Sequence, residues 1–322
     1  MTRKAGSSTT ARGQTGRYDD QLAAFRNAQR RLLDRYGVAA ESRFVDVPAI
    51  GGQAHVLVAG GGAPLVLVIG GTIPAALWAP LMARLPGRKL YAMDLPGFGL
   101  TDPVGYDPRT YKETATAFLA GVLDRLGLDR CQFVTNSMGS LWSLWLAQRS
   151  ARVAAQVMIG CPAMFLDTSA PAPMRLGSIP WLGRRLLTMR SPSPRQVEHV
   201  MAMVGEQARG IEEIRDTLLA CERMPTYVDS MLGMMRSVMS WTRVRRGVAT
   251  GPEQLRAIQH PVQVIWGEKD PFGTVQTGRR IAELVPASRF AVVPGGHAPW
   301  FHHADQIATI TREFLAAHVP PA

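Results

Sequence analysis

The chain has 322 residues, a formal net charge of +11, an apolar fraction of 46% and a mean hydropathy near zero. These values are typical of a soluble globular protein, and no stretch approaches the roughly 20 consecutive apolar residues of a membrane span. The length accommodates one large α/β domain or two smaller ones.

Residues 1–17 are small, polar and basic without an apolar centre, which predicts a disordered tail and not a secretory signal. We therefore expect a cytoplasmic protein. The arginines outside this tail are scattered among acidic residues, so the positive charge does not indicate a nucleic-acid partner. Cys131, Cys161 and Cys221 are widely spaced in apolar surroundings, which predicts buried free thiols without metal-binding spacing.

The pattern along the chain predicts strands that alternate with helices. Residues 18–36 have helical periodicity, and residues 43–59 read as a hairpin around two glycines. Apolar strands then alternate with amphipathic helices, which is typical of a parallel sheet covered on both faces. These strands are predicted at 65–69, 90–94, 131–135, 153–161, 261–266 and 289–293.

A long helical segment interrupts this alternation after Pro162. We expect residues 163–250 to form a cap over the carboxyl edge of the sheet, since ligands bind at that edge in α/β proteins. The predicted core then consists of residues 18–162 and 251–322.

A serine stands at a predicted corner between a strand and a helix. The strand at 131–135 runs into Asn-Ser-Met-Gly at 136–139, followed by a helical pattern. Such a corner pushes the serine hydroxyl out of the fold, above the first free N–H groups of the helix. Ser137 is therefore a candidate nucleophile, although serine is also favoured here simply as an N-cap. Gly139 is the small residue expected after the serine, whereas Thr135 is larger than the usual residue before it.

Two later loops contain the residues that would activate this serine. Asp270 follows one predicted strand and His297 follows the next, so serine, aspartate and histidine occur in the chain order of a triad on an α/β sheet. The unperturbed pKa of histidine suits it to accept the serine proton. The aspartate would orient the imidazole and stabilise the imidazolium.

Acyl transfer also requires N–H donors for an oxyanion. Met138, directly after the serine, offers its backbone N–H at the start of the helix. The second donor is expected from the loop after the strand at 65–69. Gly71 is the first choice and Thr72 the alternative if the register differs by one. Glycine lets the backbone approach a substrate, but a glycine pair also fits a simple tight turn.

Together these motifs resemble the α/β-hydrolase superfamily over nearly the whole chain after the tail. Residues 94–102, Asp-Leu-Pro-Gly-Phe-Gly-Leu-Thr-Asp, are similar to the turn after the family's fourth strand, and residues 296–300 are similar to its histidine loop. The resemblance implies an eight-stranded, mostly parallel sheet with helices on both faces and a helical cap after strand six. The chain departs from the family at Ile69, where histidine is frequent, and at Thr135 and Ser140, where glycines are common.

The elbow at 136–139 is similar to that of the carbon–carbon bond hydrolases of ring-opened aromatic catabolites. That subgroup usually has a Gly-Pro-Gly oxyanion loop and an aromatic residue after the histidine, whereas this chain has Gly-Thr-Ile-Pro at 71–74 and Ala298. The expected activity is therefore that of a serine hydrolase acting on a carboxylic ester, lactone or thioester. The alternatives are a carbon–carbon bond hydrolase of a vinylogous diketone and a non-catalytic protein that binds a small ligand.

Ten of the fifteen methionines fall in the predicted cap, with Met231 and Met235 on one presumed helix face. Thioether side chains make an adaptable apolar wall, which indicates a hydrophobic small-molecule substrate, but the same stripe fits a contact between cap and sheet equally well. Met164 and Trp300 complete the candidate substrate-binding residues. Neither a cofactor nor a metal is expected, and a homodimer is left open.

Overall fold

The computed structural model of the protein describes residues 8–160, 162–166 and 168–318. Within these residues eight strands form a single sheet, which confirms the predicted architecture. The strands are β1 (Ala40–Val47), β2 (Gly52–Gly60), β3 (Ala63–Val68), β4 (Arg88–Met93), β5 (Cys131–Asn136), β6 (Val153–Ile159), β7 (Val262–Gly267) and β8 (Ser288–Val293).

The sheet is mostly parallel. Its strand order is β1-β2-β4-β3-β5-β6-β7-β8. β2 is antiparallel to both of its neighbours, β1 and β4, and every other pair is parallel. Each residue of β5, β6 and β7 is buried. Because side chains alternate between the two faces of a strand, this burial requires cover on both faces of the sheet.

The helices fall into a core set and an insertion. Between β6 and β7 the described residues form five helices before the core resumes, so the cap is inserted after the sixth strand. The core helices are α1 (Ser8–Arg35), α2 (Ala79–Met82), α3 (Tyr111–Leu126), α4 (Met138–Ala147), α10 (Pro252–Arg256), α11 (Val275–Leu284) and α12 (Trp300–Ala316). The inserted helices are α5 (Ala172–Leu176), α6 (Pro180–Thr188), α7 (Pro194–Met203), α8 (Glu212–Glu222) and α9 (Tyr227–Val238).

The first helix is longer than the sequence pattern indicates. α1 begins at Ser8, so residues 8–17, for which the composition predicts disorder, belong to this helix, while residues 1–7 lie outside the described residues. Extending an existing helix costs much less than nucleating one, and composition alone does not register that difference. The helix packs against α8 of the cap, where the Thr217 hydroxyl donates to the Ala28 carbonyl at 3.3 Å.

The cysteines and the helices can be compared with what the composition predicts. Cys131 and Cys221 are free and buried, whereas Cys161 lies outside the described residues. None of the helices in the described segments has the length and apolarity that a membrane span requires.

A fully buried carboxylate organises the turn after β4. Asp94 accepts hydrogen bonds from the backbone N–H groups of Ala75 at 2.6 Å and Leu100 at 3.0 Å. Its Oδ2 also lies 2.7 Å from Nδ1 of His55. A Cβ at Gly99 would overlap this carboxylate, so a side chain there would displace it. Asp94 thereby holds the backbone that follows the predicted oxyanion loop at 70–74.

We expect Asp94→Ala to lower the free energy of unfolding by at least about 3 kcal/mol, because each buried group left without its partner costs about 1–3 kcal/mol. Asp94→Asn keeps one carbonyl acceptor and should lose less. Urea unfolding followed by tryptophan fluorescence measures both variants. An Asp94→Ala protein as stable as the wild type would contradict this role.

Candidate active site

Ser137 lies at a strained corner between β5 and α4. Its backbone has φ 47° and ψ −114°, a conformation that is costly for a residue with a side chain. The corner closes tightly, since a Cβ at Gly139 would lie 2.6 Å from the Ile69 carbonyl oxygen. A Cβ at Gly70 would lie 3.4 Å from Cβ of Ser137. The loop predicted to hold the oxyanion therefore passes directly beside the serine.

Thr135 and Ser140, the two departures from the usual glycines, are hydrogen-bonded to each other. Their hydroxyl oxygens lie 2.8 Å apart, and the amide of Gln156 on β6 donates to the Thr135 hydroxyl at 2.9 Å. All three side chains are fully buried. The corner is thus closed by a satisfied polar cluster, which avoids the cost of burying unpaired hydroxyls.

His297 and Asp270 form a buried pair at the ends of two neighbouring strands. Asp270 follows β7 and His297 follows β8, and Oδ2 of the carboxylate lies 3.0 Å from Nδ1 of the imidazole. The other carboxylate oxygen accepts from the backbone N–H of Phe272 at 2.9 Å, and the Phe272 ring packs on the imidazole with centroids 4.3 Å apart. Nδ1–H of the imidazole donates to the carboxylate. In the neutral imidazole Nε2 is then unprotonated and is the nitrogen that can accept a proton.

The serine corner and the histidine loop contact each other. The side-chain amide of Asn136, next to the serine, donates to the His297 carbonyl at 3.1 Å. Gly160, directly after β6, leaves room for this contact, because a Cβ there would lie 2.8 Å from the same carbonyl oxygen and 3.1 Å from Nδ1 of the imidazole. The fold therefore places the loop of His297, which is paired with Asp270, against the corner that carries Ser137.

Both predicted oxyanion donors lie beside the serine. Met138 is the first residue of α4, where N–H groups have no acceptor within the helix. A Cβ at Gly71 would lie 3.5 Å from Cβ of Met138, so the two backbones approach closely. Thr72, the alternative donor, has φ 71° and its side chain faces a cavity under the cap. This neighbourhood favours Gly71 as the partner of Met138.

The cap supplies a support for the histidine loop that the sequence did not suggest. Glu206 lies in the segment after α7 and is 3% exposed. Its Oε1 accepts from the N–H groups of Gly296 and Ala298, both at 2.9 Å, while the Val204 carbonyl accepts from the N–H of His297 at 2.9 Å. Three consecutive N–H groups are therefore held by one short stretch of the cap.

Opposing effects act on the Glu206 carboxyl. Burial raises its pKa above the ordinary value, while the two backbone N–H groups act to lower it. No sequence pattern marks this residue, because an isolated glutamate in a loop is ordinarily a solvated surface residue.

A largely apolar cavity of about 220 Å³ lies among the cap helices and reaches Thr72 of the predicted oxyanion loop. Met231 and Met235 line it, as their spacing predicts for one face of α9. Met234 instead packs against Gly71 and is buried, so part of the methionine-rich helix does contact the sheet domain. Among the described residues that line the cavity, Glu222 is the only charged side chain.

Met164 and Trp300, proposed from sequence as substrate-binding residues, lie elsewhere. Trp300 is completely buried, stacks on Trp78 with centroids 4.4 Å apart and donates to the Leu77 carbonyl at 2.8 Å. The indole is buried in the core, so none of its surface is accessible to a ligand. Met164 is 3% exposed and borders a separate cleft near residues 242–252. Trp300 is near His297 in the chain and Met164 follows β6, but neither residue lines the cavity.

Residues 56–310 match the model of the Alpha/beta hydrolase family. The chain is 28% identical over 282 residues to 2-hydroxy-6-oxononadienedioate/2-hydroxy-6-oxononatrienedioate hydrolase 2 of Pseudomonas putida, covering 82% of this chain and 91% of that protein. It is 26% identical over 278 residues to 2-hydroxy-6-oxo-6-phenylhexa-2,4-dienoate hydrolase of Burkholderia cepacia, with the same coverage of 82% and 91%.

Solved structures show the same fold. Carboxylesterase CesB from Bacillus subtilis superposes with a TM-score of 0.72 at 18% identity, covering 93% of this chain and all of that one. The 2-hydroxy-6-oxo-6-phenylhexa-2,4-dienoate hydrolase from Rhodococcus sp. strain RHA1 superposes with a TM-score of 0.71 at 20% identity, covering 87% and 99%. An esterase and a carbon–carbon bond hydrolase thus resemble the chain equally well in backbone.

Removing the cap's support should impair the histidine loop. We expect Glu206→Ala to lower kcat on the order of 10- to 100-fold with a smaller change in KM, because a displacement of about 1 Å at a catalytic group costs about that much. Steady-state kinetics measure both constants.

Glu206→Gln is the matched variant. Both backbone donors bond to Oε1, and the amide oxygen of glutamine can accept both. This variant should therefore retain most activity. Equal losses in the two variants would show that the charge of Glu206, and not its acceptor oxygen, matters.

Proposed function

Because the chain belongs to the alpha/beta hydrolase family, we propose that it is a serine hydrolase for a carboxylic ester, lactone or thioester with a large uncharged apolar group. The observation that carries the choice of substrate is the cavity at Thr72, whose described lining includes no lysine, arginine or histidine. The chemistry rests on Ser137 together with the hydrogen-bonded pair of His297 and Asp270.

In this proposal Ser137 attacks the carbonyl carbon while Nε2 of His297 takes the hydroxyl proton. The N–H groups of Met138 and Gly71 stabilise the oxyanion, and removing one such donor typically costs about 3–4 kcal/mol. His297 then returns the proton to the leaving alcohol or thiol, which leaves an acyl-serine. Water attacks the acyl-serine with His297 as the base, and Ser137 is regenerated as the acid departs. Asp270 holds the imidazole in position throughout.

The charge of the cavity wall supports a neutral substrate. A carboxylate transferred from water into an apolar cavity loses its solvation and requires a cationic or N–H partner in return. The only ionisable carboxyl or amine among the described lining residues is the acidic Glu222. An anionic group bound there would therefore meet both an apolar wall and a like charge.

Carbon–carbon bond hydrolysis is the second candidate, and the sequence relatives favour it over ester hydrolysis. The relative from Pseudomonas putida is named for dienedioate and trienedioate substrates, and the one from Burkholderia cepacia for a dienoate. The elbow at 136–139 also resembles that subgroup. Two observations argue against this candidate. Ala298 occupies the place of an aromatic residue, and the described cavity lining includes no cationic side chain.

We expect a fluorophosphonate probe to label the wild-type protein at neutral pH and to leave Ser137→Ala unlabelled, because only an activated serine reacts rapidly with it. Intact-mass spectrometry detects the adduct. Ser143→Ala, which alters a buried helical serine whose hydroxyl donates to the Gly139 carbonyl, is a control that should still label. Labelling that persists in Ser137→Ala would overturn the assignment of the nucleophile.

The two candidate reactions separate when substrates are compared directly. We expect kcat/KM for neutral p-nitrophenyl esters to exceed that for a vinylogous 1,5-diketone carboxylate by at least about 100-fold, since an unpaired buried charge costs several kcal/mol. Ester release is followed by absorbance of the nitrophenolate and diketone cleavage by loss of the dienol absorbance. Faster turnover of the diketone would establish the second candidate instead.

A further inference from the structure

Glu222 stands out in the cavity because its carboxyl has no partner. It is the last residue of α8, is partly buried, and lines the cavity together with Met231 and Met235. In the described part of the chain no hydrogen bond or ion pair involves its side chain. The adjacent Arg223 does not neutralise it, since the guanidinium donates to the Pro192 carbonyl at 2.8 Å and is exposed.

Burial and the end of the helix both make this position unfavourable for an ionised carboxyl group. Burial raises the pKa of Glu222 from 4.5 to about 7. The carboxyl-terminal end of a helix carries partial negative charge and disfavours an acidic residue. Glu222 acts electrostatically on its neighbours Cys221 and Tyr227, and neither of them is a cation. The described residues supply no cationic or hydrogen-bonding partner for this carboxyl, whereas a ligand in the cavity can supply one.

We infer that Glu222 determines substrate specificity by accepting a hydrogen bond from a hydroxyl or amino group on the apolar part of the substrate. This inference rests on the proposed hydrolase function and narrows its substrate class. The substrate is an ester or thioester whose large apolar group carries a hydrogen-bond donor away from the scissile carbonyl. Gln196, a second polar residue of the cavity wall, is available to the same group.

The same carboxyl rejects substrates that carry a carboxylate at this position. When Glu222 is ionised, a second negative charge beside it in this largely apolar cavity is repelled. The relative from Pseudomonas putida is named for a dioate substrate, which has two carboxylates. Glu222 therefore separates the substrate class of this chain from that of its relative.

The test uses four matched p-nitrophenyl esters that differ only at the end of the acyl chain: methyl, hydroxymethyl, aminomethyl and carboxyl. The comparison is made at the chain length that the wild type hydrolyses fastest and at about pH 8.5, where most of the Glu222 carboxyl is ionised. We expect kcat/KM of the wild type to be about 10- to 100-fold higher for the hydroxyl and amino substrates than for the carboxylate, the range of a hydrogen bond to a charged group.

Variants of Glu222 separate its charge from its hydrogen bond. Glu222→Leu should lose the preference for hydroxyl and amino ends and favour the methyl end. Glu222→Gln should keep the hydroxyl preference, lose the amino preference and accept the carboxylate better. Glu212→Leu removes an exposed carboxylate from the other end of α8 and should leave the wild-type ratios unchanged.

The outcomes distinguish this inference from the proposed function. If the fluorophosphonate probe labels Ser137 and the methyl-ended ester is hydrolysed, but Glu222→Leu leaves the four ratios as they are in the wild type, the inference alone is wrong. If the wild type is not labelled and hydrolyses none of the esters, the proposed function itself fails.

The pH dependence of stability checks the unpaired state of Glu222 without any substrate. Its carboxyl has a higher pKa in the folded protein, about 7, than the ordinary 4.5 of an unfolded chain. The folded state therefore binds the proton more tightly, and the wild type loses stability as pH rises through this interval. Glu222→Gln lacks this loss, so its Tm should exceed that of the wild type at about pH 8 and approach it near pH 4.5. Parallel Tm curves would show that the carboxyl has a partner in the folded protein.

Discussion

The sharp corner at Ser137 is the constraint around which the site is built. A residue with a side chain adopts this backbone only if its surroundings hold it there. Gly139 and Gly160 leave room for neighbouring carbonyl groups, while Thr135 and Ser140 close the strand against the helix through their hydroxyls. The same tight closure places the serine beside the loop of Gly70 and Gly71. The positions of the candidate nucleophile and of the predicted oxyanion donors therefore depend on the same local packing.

The cap does more than cover the sheet. Its segment after α7 accepts three consecutive N–H groups of the histidine loop through Val204 and Glu206. At Gly205 a Cβ would lie 2.8 Å from the Lys269 carbonyl, so this segment also touches the loop that ends in Asp270. Because α1 packs on α8, the cap is connected to the amino-terminal helix as well. The position of the cap and the geometry of the pair formed by His297 and Asp270 are thereby coupled.

The shape of the backbone alone does not indicate the substrate of this chain. The backbone resembles an esterase and a carbon–carbon bond hydrolase to the same degree, with TM-scores of 0.72 and 0.71. Fold similarity at such low identity does not distinguish their reactions. The charge of the cavity wall does not suit a dicarboxylate, because the charged side chain among its described lining residues, Glu222, is acidic. Under the proposed function, substrate specificity is therefore a property of the cap and not of the shared sheet.

The sequence by itself determined the sheet, the position of the cap and the candidate triad, because each depends on local signals. Apolar strands, amphipathic helices and turn residues are encoded within short windows, and the carboxyl ends of parallel strands necessarily meet at one edge. Ser137, Asp270 and His297 each follow such a strand, so their chain order was enough to group them.

Only the tertiary structure decided which residues surround these three. Glu206 lies about 90 positions before Gly296 and Ala298 in the chain, and its hydrogen bonds to their N–H groups depend on how the cap folds back onto the sheet. Trp300 is near His297 in sequence but turns into the core, and Thr135 finds its partner on the following helix. Glu222 gives no sign in the sequence that it faces a cavity. Long-range packing, which no short window of sequence contains, sets each of these positions.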